Sequence, residues 1–90
     1  MPPYRSLVPS EEFFRSLLAG RFSAAELAQL YRALRLLDEN DRHPSLRVHQ
    51  LRGDRAGQWS ASASASLRIT FERLGDGRKG LLEASRHYGD

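Results

Sequence analysis

The 90-residue sequence contains no cysteine and a single lysine, and neither end carries a long apolar run. Without cysteine there are no disulfides, so the fold must rest on its apolar core, and a reducing compartment is expected. The first residues contain no segment apolar enough for a signal peptide or a membrane helix, which predicts a cytoplasmic protein. The three histidines are not spaced as metal ligands, so we expect neither a metal nor another cofactor. The length predicts one domain over residues 1–90.

Positive charge is concentrated in the second half of the chain. Residues 1–41 carry five arginines and six acidic residues, whereas residues 42–90 carry nine basic and five acidic residues. Thirteen of the fourteen basic residues are arginine, whose guanidinium binds phosphate through two parallel hydrogen bonds. This distribution is typical of a protein that binds a polyanion, with nucleic acid as the first candidate. The alternative is a solvated basic face without a ligand.

The first half predicts a short strand and two helices. The strand covers residues 4–8 and stops at the proline that follows. Ser10 is placed to cap a helix that ends at Gly20, and the sequence Ser23-Ala24-Ala25-Glu26 is a capping box that opens a second helix ending near Glu39. Apolar spacing predicts that both helices turn one face to the core, with Phe13, Phe14, Leu17, Leu18, Leu27, Leu30, Tyr31, Leu34 and Leu37.

From residue 45 the apolar period changes to two, which predicts strands. The stretch 45–51 is the first, and residues 59–72 alternate strictly, with Trp59, Ala61, Ile69 and Phe71 among one parity and serines, Arg68 and Thr70 among the other. Because this stretch is too long for one strand, we expect two, reversing near Ser64-Ala65. A turn at 75–77 precedes a last strand over 80–88. The order β-α-α-β-β-β-β predicts an α+β fold, with both helices on one face of a twisted, mostly antiparallel sheet.

The second half resembles the RelE/ParE superfamily of toxin–antitoxin toxins, and most closely its YoeB-like and YafQ-like messenger-RNA endoribonucleases. The matching elements, in order along residues 43–88, are a His-x-Leu-x-Gly motif at 49–53, the pair Trp59-Ser60, a Leu-Arg-Ile-x-Phe motif at 67–71, and the terminal pair His87-Tyr88.

The resemblance implies a RelE-like fold and a toxin that cuts messenger RNA in the ribosomal A site until a cognate antitoxin binds it. The implied reaction needs no metal: the ribose 2′-OH attacks the adjacent phosphate and leaves a 2′,3′-cyclic phosphate. Two alternatives remain open on the same scaffold. One is a ParE-like gyrase poison, which His87-Tyr88 disfavours, and the other is a non-catalytic domain that binds RNA or a protein partner.

The resemblance also implies roles for individual residues. His87 is the candidate acid or base, Arg68 the group that stabilises the transition state, and His49 a second acid or base. Tyr88 would stack on a base or lend its hydroxyl. At Ser45, YoeB-like toxins carry a catalytic glutamate. The remaining candidates are cations expected to contact RNA: Arg47, Arg52, Arg55, Arg78, Lys79 and Arg86.

Each of these roles has a structural alternative. The alternative for His87 is a surface histidine, and that for Tyr88 is packing at the strand end. The alternative for Arg68 is pairing with Glu83 or Glu72 across strands, with the catalytic role favoured. The alternative for His49 is a structural or RNA-contact role, and Trp59 is expected in the core.

Overall fold

The predicted order of elements is found in a computed structural model, which describes residues 4–86. The helices are α1 (Glu11–Ala19) and α2 (Ala24–Glu39). The strands are β1 (Leu7–Pro9), β2 (His49–Gln50), β3 (Gln58–Ser62), β4 (Leu67–Arg73) and β5 (Lys79–Arg86). The predicted α+β class is confirmed.

Both helices begin at their predicted caps. The Ser10 hydroxyl accepts a hydrogen bond from the backbone N–H of Phe13 at 3.0 Å. In the capping box, the backbone N–H of Ser23 donates to the Glu26 carboxylate at 2.9 Å, and the N–H of Glu26 donates back to the Ser23 hydroxyl at 3.1 Å. α1 ends at Gly20, as predicted. These local signals depend only on residues within one turn, which is why the sequence locates them well.

The five strands form one sheet in the order β1-β5-β4-β3-β2. β1 and β5 run parallel, and every other neighbouring pair is antiparallel. α1 lies beside β5, where the Ser16 hydroxyl accepts a hydrogen bond from the backbone N–H of Ala84 at 2.9 Å. Phe13 of α1 and Leu37 of α2 share one core cluster with Phe71 of β4, so both helices contribute to the core on the same face of the sheet.

The alternating stretch is a hairpin of β3 and β4, as predicted. Ala61 pairs with Ile69 and Ser62 pairs with Arg68, and the backbone N–H of Ala63 donates to the carbonyl of Leu67 at 2.9 Å. Three residues, 64–66, therefore form the turn. Because this number is odd, facing residues have the same parity, and the apolar alternation runs in phase through the reversal.

The helical stripe is only partly buried. Phe13, Leu30, Leu34 and Leu37 are in the core. The prediction is wrong for four others, which are exposed: Phe14 (54%), Leu18 (81%), Leu27 (45%) and Tyr31 (58%). Both helices thus carry apolar side chains that this chain alone does not cover.

Three predicted strand boundaries differ from the structure. β1 runs from Leu7 to Pro9 instead of over 4–8, and a proline is tolerated there because β1 pairs through Leu7–Pro9 with β5 alone. The stretch 45–51 is shortened to His49–Gln50, because a 3-10 turn occupies Pro44–Leu46 and Arg47 adopts a left-handed φ of 46°. β5 starts at Lys79, one residue early. The turn at 75–77 is as predicted, with positive φ at Asp76 and Gly77.

Asp38, in the last turn of α2, holds the start of β1. Its Oδ1 accepts hydrogen bonds from the backbone N–H groups of Ser6 at 2.6 Å and Leu7 at 3.2 Å, and both carboxylate oxygens lie 3.0 Å from the N–H of Arg5. Partial burial raises the pKa of this carboxyl, but the donated hydrogen bonds outweigh burial and the pKa is lowered. The buried Lys79 ammonium completes the cluster by donating to the Ser6 hydroxyl at 3.0 Å.

Candidate nucleic-acid interface

The face of the sheet opposite the core, here called the open face, carries polar side chains in two rows. Strand register places His49, Ser60, Thr70 and Glu83 in one row across β2, β3, β4 and β5. A second row, two residues along the strands, contains Ser62, Arg68 and Ser85. Strand alternation forces these residues onto one face, since their neighbours Ala61, Ile69 and Ala84 are in the core.

A cavity of about 420 Å³ opens on this face and is called the first cavity. Three arginines, one histidine and four hydroxyls converge on it, and among residues 4–86 no carboxylate is in its lining. The lining residues are Arg47, His49, Leu51, Arg55, Ser60, Ser62, Arg68, Thr70 and Ser85. A concave site with several cations, hydroxyl donors and no acid is suited to a phosphate group.

Arg68 is held by the turn that precedes it. Its Nη1 donates to the carbonyl of Ser64 at 2.8 Å and to that of Leu67 at 3.0 Å, with the carbonyl of Ala65 at 3.4 Å. Within residues 4–86 the hydrogen bonds of this side chain all use Nη1, so Nε and Nη2 are left for a ligand. The predicted alternative partners, Glu83 and Glu72, do not pair with it. Its guanidinium is therefore preorganised by backbone carbonyls, without a neutralising carboxylate.

His49 is oriented by a local hydrogen bond. Its Nδ1 lies 3.0 Å from the carbonyl oxygen of Arg47. Because a carbonyl oxygen only accepts, Nδ1 carries the hydrogen, and the neutral ring keeps its lone pair on Nε2. The structure thus gives His49 the tautomer that suits a proton acceptor in the first cavity.

Arg55 reaches across the open face to the one carboxylate in these rows. Its Nη2 lies 3.5 Å from the Glu83 carboxylate, and its Nε donates to the Gln58 side-chain oxygen at 3.1 Å. Both partners of the ion pair are about half exposed, with side-chain exposures of 50% and 47%, so water weakens the pair. Arg55 can exchange Glu83 for a phosphate at small cost.

The other predicted RNA contacts are distributed unevenly. Arg47 is exposed and lines the first cavity, whereas Arg52 and Arg78 are exposed but do not line it. The prediction for Lys79 needs correction, because its side chain is 7% exposed and donates to Ser6 inside the fold. The local sequence pattern did not reveal the burial of Lys79, because a lysine next to a glycine turn is usually exposed.

Arg86 also makes contacts within the fold. Its guanidinium donates to both carboxylate oxygens of Glu26, at 3.0 and 2.8 Å, and to the carbonyl of Gly20 at 2.8 Å. It lies 4.6 Å from the ring centroid of Phe22. The hydrogen bond from Arg86, followed by that from the backbone of Ser23, lowers the pKa of Glu26 to about 2. These contacts tie the end of β5 to the loop between the helices, and the predicted RNA contact of Arg86 stays a prediction.

His87 and Tyr88 lie outside the described residues, so their predicted roles stay predictions. Ser85, next to the last described residue, is in the lining of the first cavity. The hydroxyls of Ser62, Thr70 and Ser85 were not singled out from the sequence. Parity with Arg68 was the signal that would have placed Ser62 and Thr70 on the open face, whereas Ser85 is brought there by the register of β4 with β5.

Neither Trp59 nor the histidine and acidic side chains of residues 4–86 form a separate site. Trp59 packs against the core cluster, as predicted, and the Arg73 guanidinium lies 4.3 Å from its ring centroid. Among residues 4–86 there is no group of histidine and acidic side chains arranged to hold a metal ion. Neither helix in that range is long and apolar enough to cross a membrane.

The fold is shared with a class of known structures. The two helices, the sheet order and the parallel pairing of the first and last strands are those of the RelE-like toxins, and the resemblance read from the sequence is confirmed at the level of the fold. No protein-family model matches the sequence, and no curated protein sequence matches it.

Individual solved structures share this fold over nearly the whole chain. The YoeB/ParE toxin from Agrobacterium tumefaciens is similar with a TM-score of 0.72 and 22% identity, over 93% of this chain and 100% of that one. YafQ from E. coli strain BL21(DE3) has a TM-score of 0.73 and 15% identity, over 91% and 92% of the two chains. The E. coli DinJ-YafQ toxin-antitoxin complex contains a chain with a TM-score of 0.67 and 17% identity, over 92% of each.

Proposed function

We propose that this protein is the toxin of a toxin–antitoxin pair and that it cleaves messenger RNA on the ribosome without a metal ion. The observation that carries the proposal is the first cavity, in which Arg47, Arg55 and Arg68 face hydroxyls and a histidine in a fold shared with YoeB and YafQ toxins. Such a cavity is suited to a phosphodiester, whose negative charge increases as the 2′-oxygen attacks.

Each residue has its own role in the proposed reaction. His49 accepts the proton of the ribose 2′-OH through Nε2, and the 2′-oxygen forms a bond to the adjacent phosphorus. Arg68 stabilises the additional charge on the phosphorane through Nε and Nη2. The bond from phosphorus to the 5′-oxygen then breaks, and His87 donates a proton to that oxygen, which leaves a 2′,3′-cyclic phosphate and a free 5′-OH. Tyr88 stacks on a base beside the cut.

Cleavage on programmed ribosomes tests this function directly. We expect the wild-type protein to cut a reporter messenger RNA at A-site codons, as mapped by primer extension, and we expect the His87→Ala variant to cut at least about 10²-fold more slowly. The control is His43→Ala, because His43 lies outside the first cavity and accepts a hydrogen bond from the Ser45 backbone N–H. No cuts by a folded wild-type protein, or poisoning of gyrase in a supercoiling assay, would refute the ribonuclease.

An antitoxin partner is supported by the helices. Phe14 and Leu18 on α1, and Leu27 and Tyr31 on α2, are exposed although they are large and apolar. A protein of 90 residues gains stability from covering such a surface, and a bound segment at 100 times its Kd adds about 2.7 kcal/mol. YafQ has been solved in a toxin-antitoxin complex with DinJ, and we propose a protein partner of that kind here.

Leu18→Glu is expected to weaken binding of the protein encoded beside the toxin gene by at least about 10-fold, because a charge replaces an anchor that is 81% exposed in the free chain. The measurement is titration calorimetry with the purified pair. Gln29→Glu adds the same charge at an exposed polar position of α2 and serves as the control. Equal affinities of the two variants would place the partner on another surface.

A further inference from the structure

A second cavity adjoins the first one. It also measures about 420 Å³ and shares Arg47, Ser62 and Arg68 with the first cavity. The residues that it does not share come from α2, from the segment before β2 and from the turn between β3 and β4: Arg32, Ser45, Ala63, Ser64 and Ala65. Arg47 and Arg68 thus line both cavities, the first on the open face and the second beside α2 at the turn between β3 and β4.

The charges of the second cavity are all positive. Arg32, Arg47 and Arg68 line it, and no carboxylate of residues 4–86 is in its lining. No salt bridge within residues 4–86 involves any of these three arginines. Three guanidiniums in one concave site repel each other, and an anion relieves that repulsion.

Ser45 keeps this cavity free of negative charge. Its backbone N–H donates to His43 Nδ1 at 3.3 Å, and its hydroxyl lies 2.9 Å from the same nitrogen. Because Nδ1 accepts from the N–H, it also accepts from the hydroxyl, so the Ser45 hydroxyl hydrogen points to His43. The Ser45 hydroxyl therefore does not donate to an anion in this cavity, and the charged donors there are the three arginines.

We propose that the second cavity binds the phosphate next to the scissile one on the same RNA strand, with Arg32 as the contact that belongs to this cavity alone. This rests on the proposed function, since it takes the first cavity to hold the scissile phosphate. Two contiguous basic cavities with two shared arginines fit the repeating charge of a single strand, which positively charged grooves follow. Arg32 becomes a residue that positions the RNA and does not touch the reacting atoms.

The test uses uncleavable 2′-O-methyl ApA with and without one additional terminal phosphate, placed at the 5′ end in one ligand and at the 3′ end in another. Because only a phosphate is added, stacking of a third base does not contribute to the difference in affinity. The wild-type protein is expected to bind one of the phosphorylated dinucleotides at least about 10-fold more tightly than ApA, the value of one charge-assisted hydrogen-bonded contact. For this ligand, the slope of the logarithm of the binding constant against the logarithm of the salt concentration is expected to steepen by about 0.7.

Arg32→Ala is expected to abolish this gain and to leave the Kd for ApA unchanged. Arg35→Ala is the matched control, because Arg35 is an exposed arginine three residues further along α2 and lines neither cavity. Ser45→Glu, which adds a carboxylate to the second cavity, is expected to abolish the gain as well. The proposal is overturned if neither added phosphate improves binding, or if Arg32→Ala keeps the improvement.

Failure of this proposal and failure of the proposed function give different results. If ribosome-dependent cleavage occurs and Arg32→Ala behaves as wild type, the ribonuclease stands and the second phosphate site is wrong. If the phosphate gain depends on Arg32 but no message is cut, the protein holds RNA in both cavities without cleaving it. If the wild-type protein binds none of the three dinucleotides, the second site is refuted whatever the cleavage assay shows.

Discussion

Arg68→Lys is expected to lower the rate of messenger-RNA cleavage on programmed ribosomes by about 10²–10³-fold, as for the loss of one preorganised transition-state donor. The guanidinium uses Nη1 to bind the carbonyls of Ser64 and Leu67 and leaves Nε and Nη2 for the first cavity. A lysine has one nitrogen, which either binds the turn or reaches the phosphate. A lysine keeps the positive charge at position 68 but is therefore not expected to keep the cleavage rate.

The matched control is Arg52→Lys, since Arg52 is an exposed arginine in the same basic half but lines neither cavity. We expect single-turnover cleavage by this variant to stay within a few-fold of wild type. Thermal unfolding of both variants separates catalysis from folding, because a weakened turn would lower the melting temperature of the Arg68→Lys protein. An Arg68→Lys protein with the wild-type rate would show that Arg68 acts only as a structural clamp of the turn.

The parts of the fold that short-range patterns determine could be predicted from the sequence. The capping box at Ser23 and the alternation from Trp59 to Phe71 depend on neighbours a few residues apart. The alternation also contained information that was not used: because it runs in phase through the reversal, the turn must have an odd number of residues. A two-residue turn would have exchanged the faces of β4.

The candidate site was predicted in part, because strand parity assigns a face but does not reveal partners across the chain. Arg68 was placed on the open face correctly, yet its contacts with turn carbonyls depend on the geometry of residues 64–66. Lys79 and Arg86 resemble surface cations in the sequence, and only the folded chain brings them to Ser6 and Glu26. Arg32 was missed because helix periodicity assigns it to a solvated face.

The predicted burial of the helical stripe was wrong for a related reason. Periodicity shows that Phe14 and Leu18 share a face of α1, but the width of the buried stripe depends on how far the sheet extends beneath it. β1 has only three residues, and α1 lies beside β5. Part of the apolar stripe is therefore left uncovered by the sheet and stays exposed.

Asp38→Ala is expected to lower the free energy of unfolding by about 2–4 kcal/mol, since it leaves partly buried N–H groups of Ser6 and Leu7 without an acceptor. For a chain of this size, that corresponds to a fall in melting temperature of roughly 10 °C or more. An aspartate in the last turn of a helix is disfavoured by the helix dipole, and at Asp38 the hydrogen bonds to a distant partner segment offset that cost. The partner itself lies more than 30 residues away.

The pH dependence of the stability difference between wild type and Asp38→Ala tests whether the charged carboxylate is the cause. Because the folded-state pKa of Asp38 is lowered, its stabilisation is fully present above the unfolded-state pKa and is lost as the pH falls through the folded-state value. The gap between wild type and Asp38→Ala, measured by urea unfolding, should thus be constant near neutral pH and shrink at acidic pH. Glu39→Ala, at the exposed neighbouring position, should change stability by less than about 0.5 kcal/mol. If the difference in free energy of unfolding were the same at every pH, the loss of stability in Asp38→Ala would come from packing. β1 would then be held by its pairing with β5 alone.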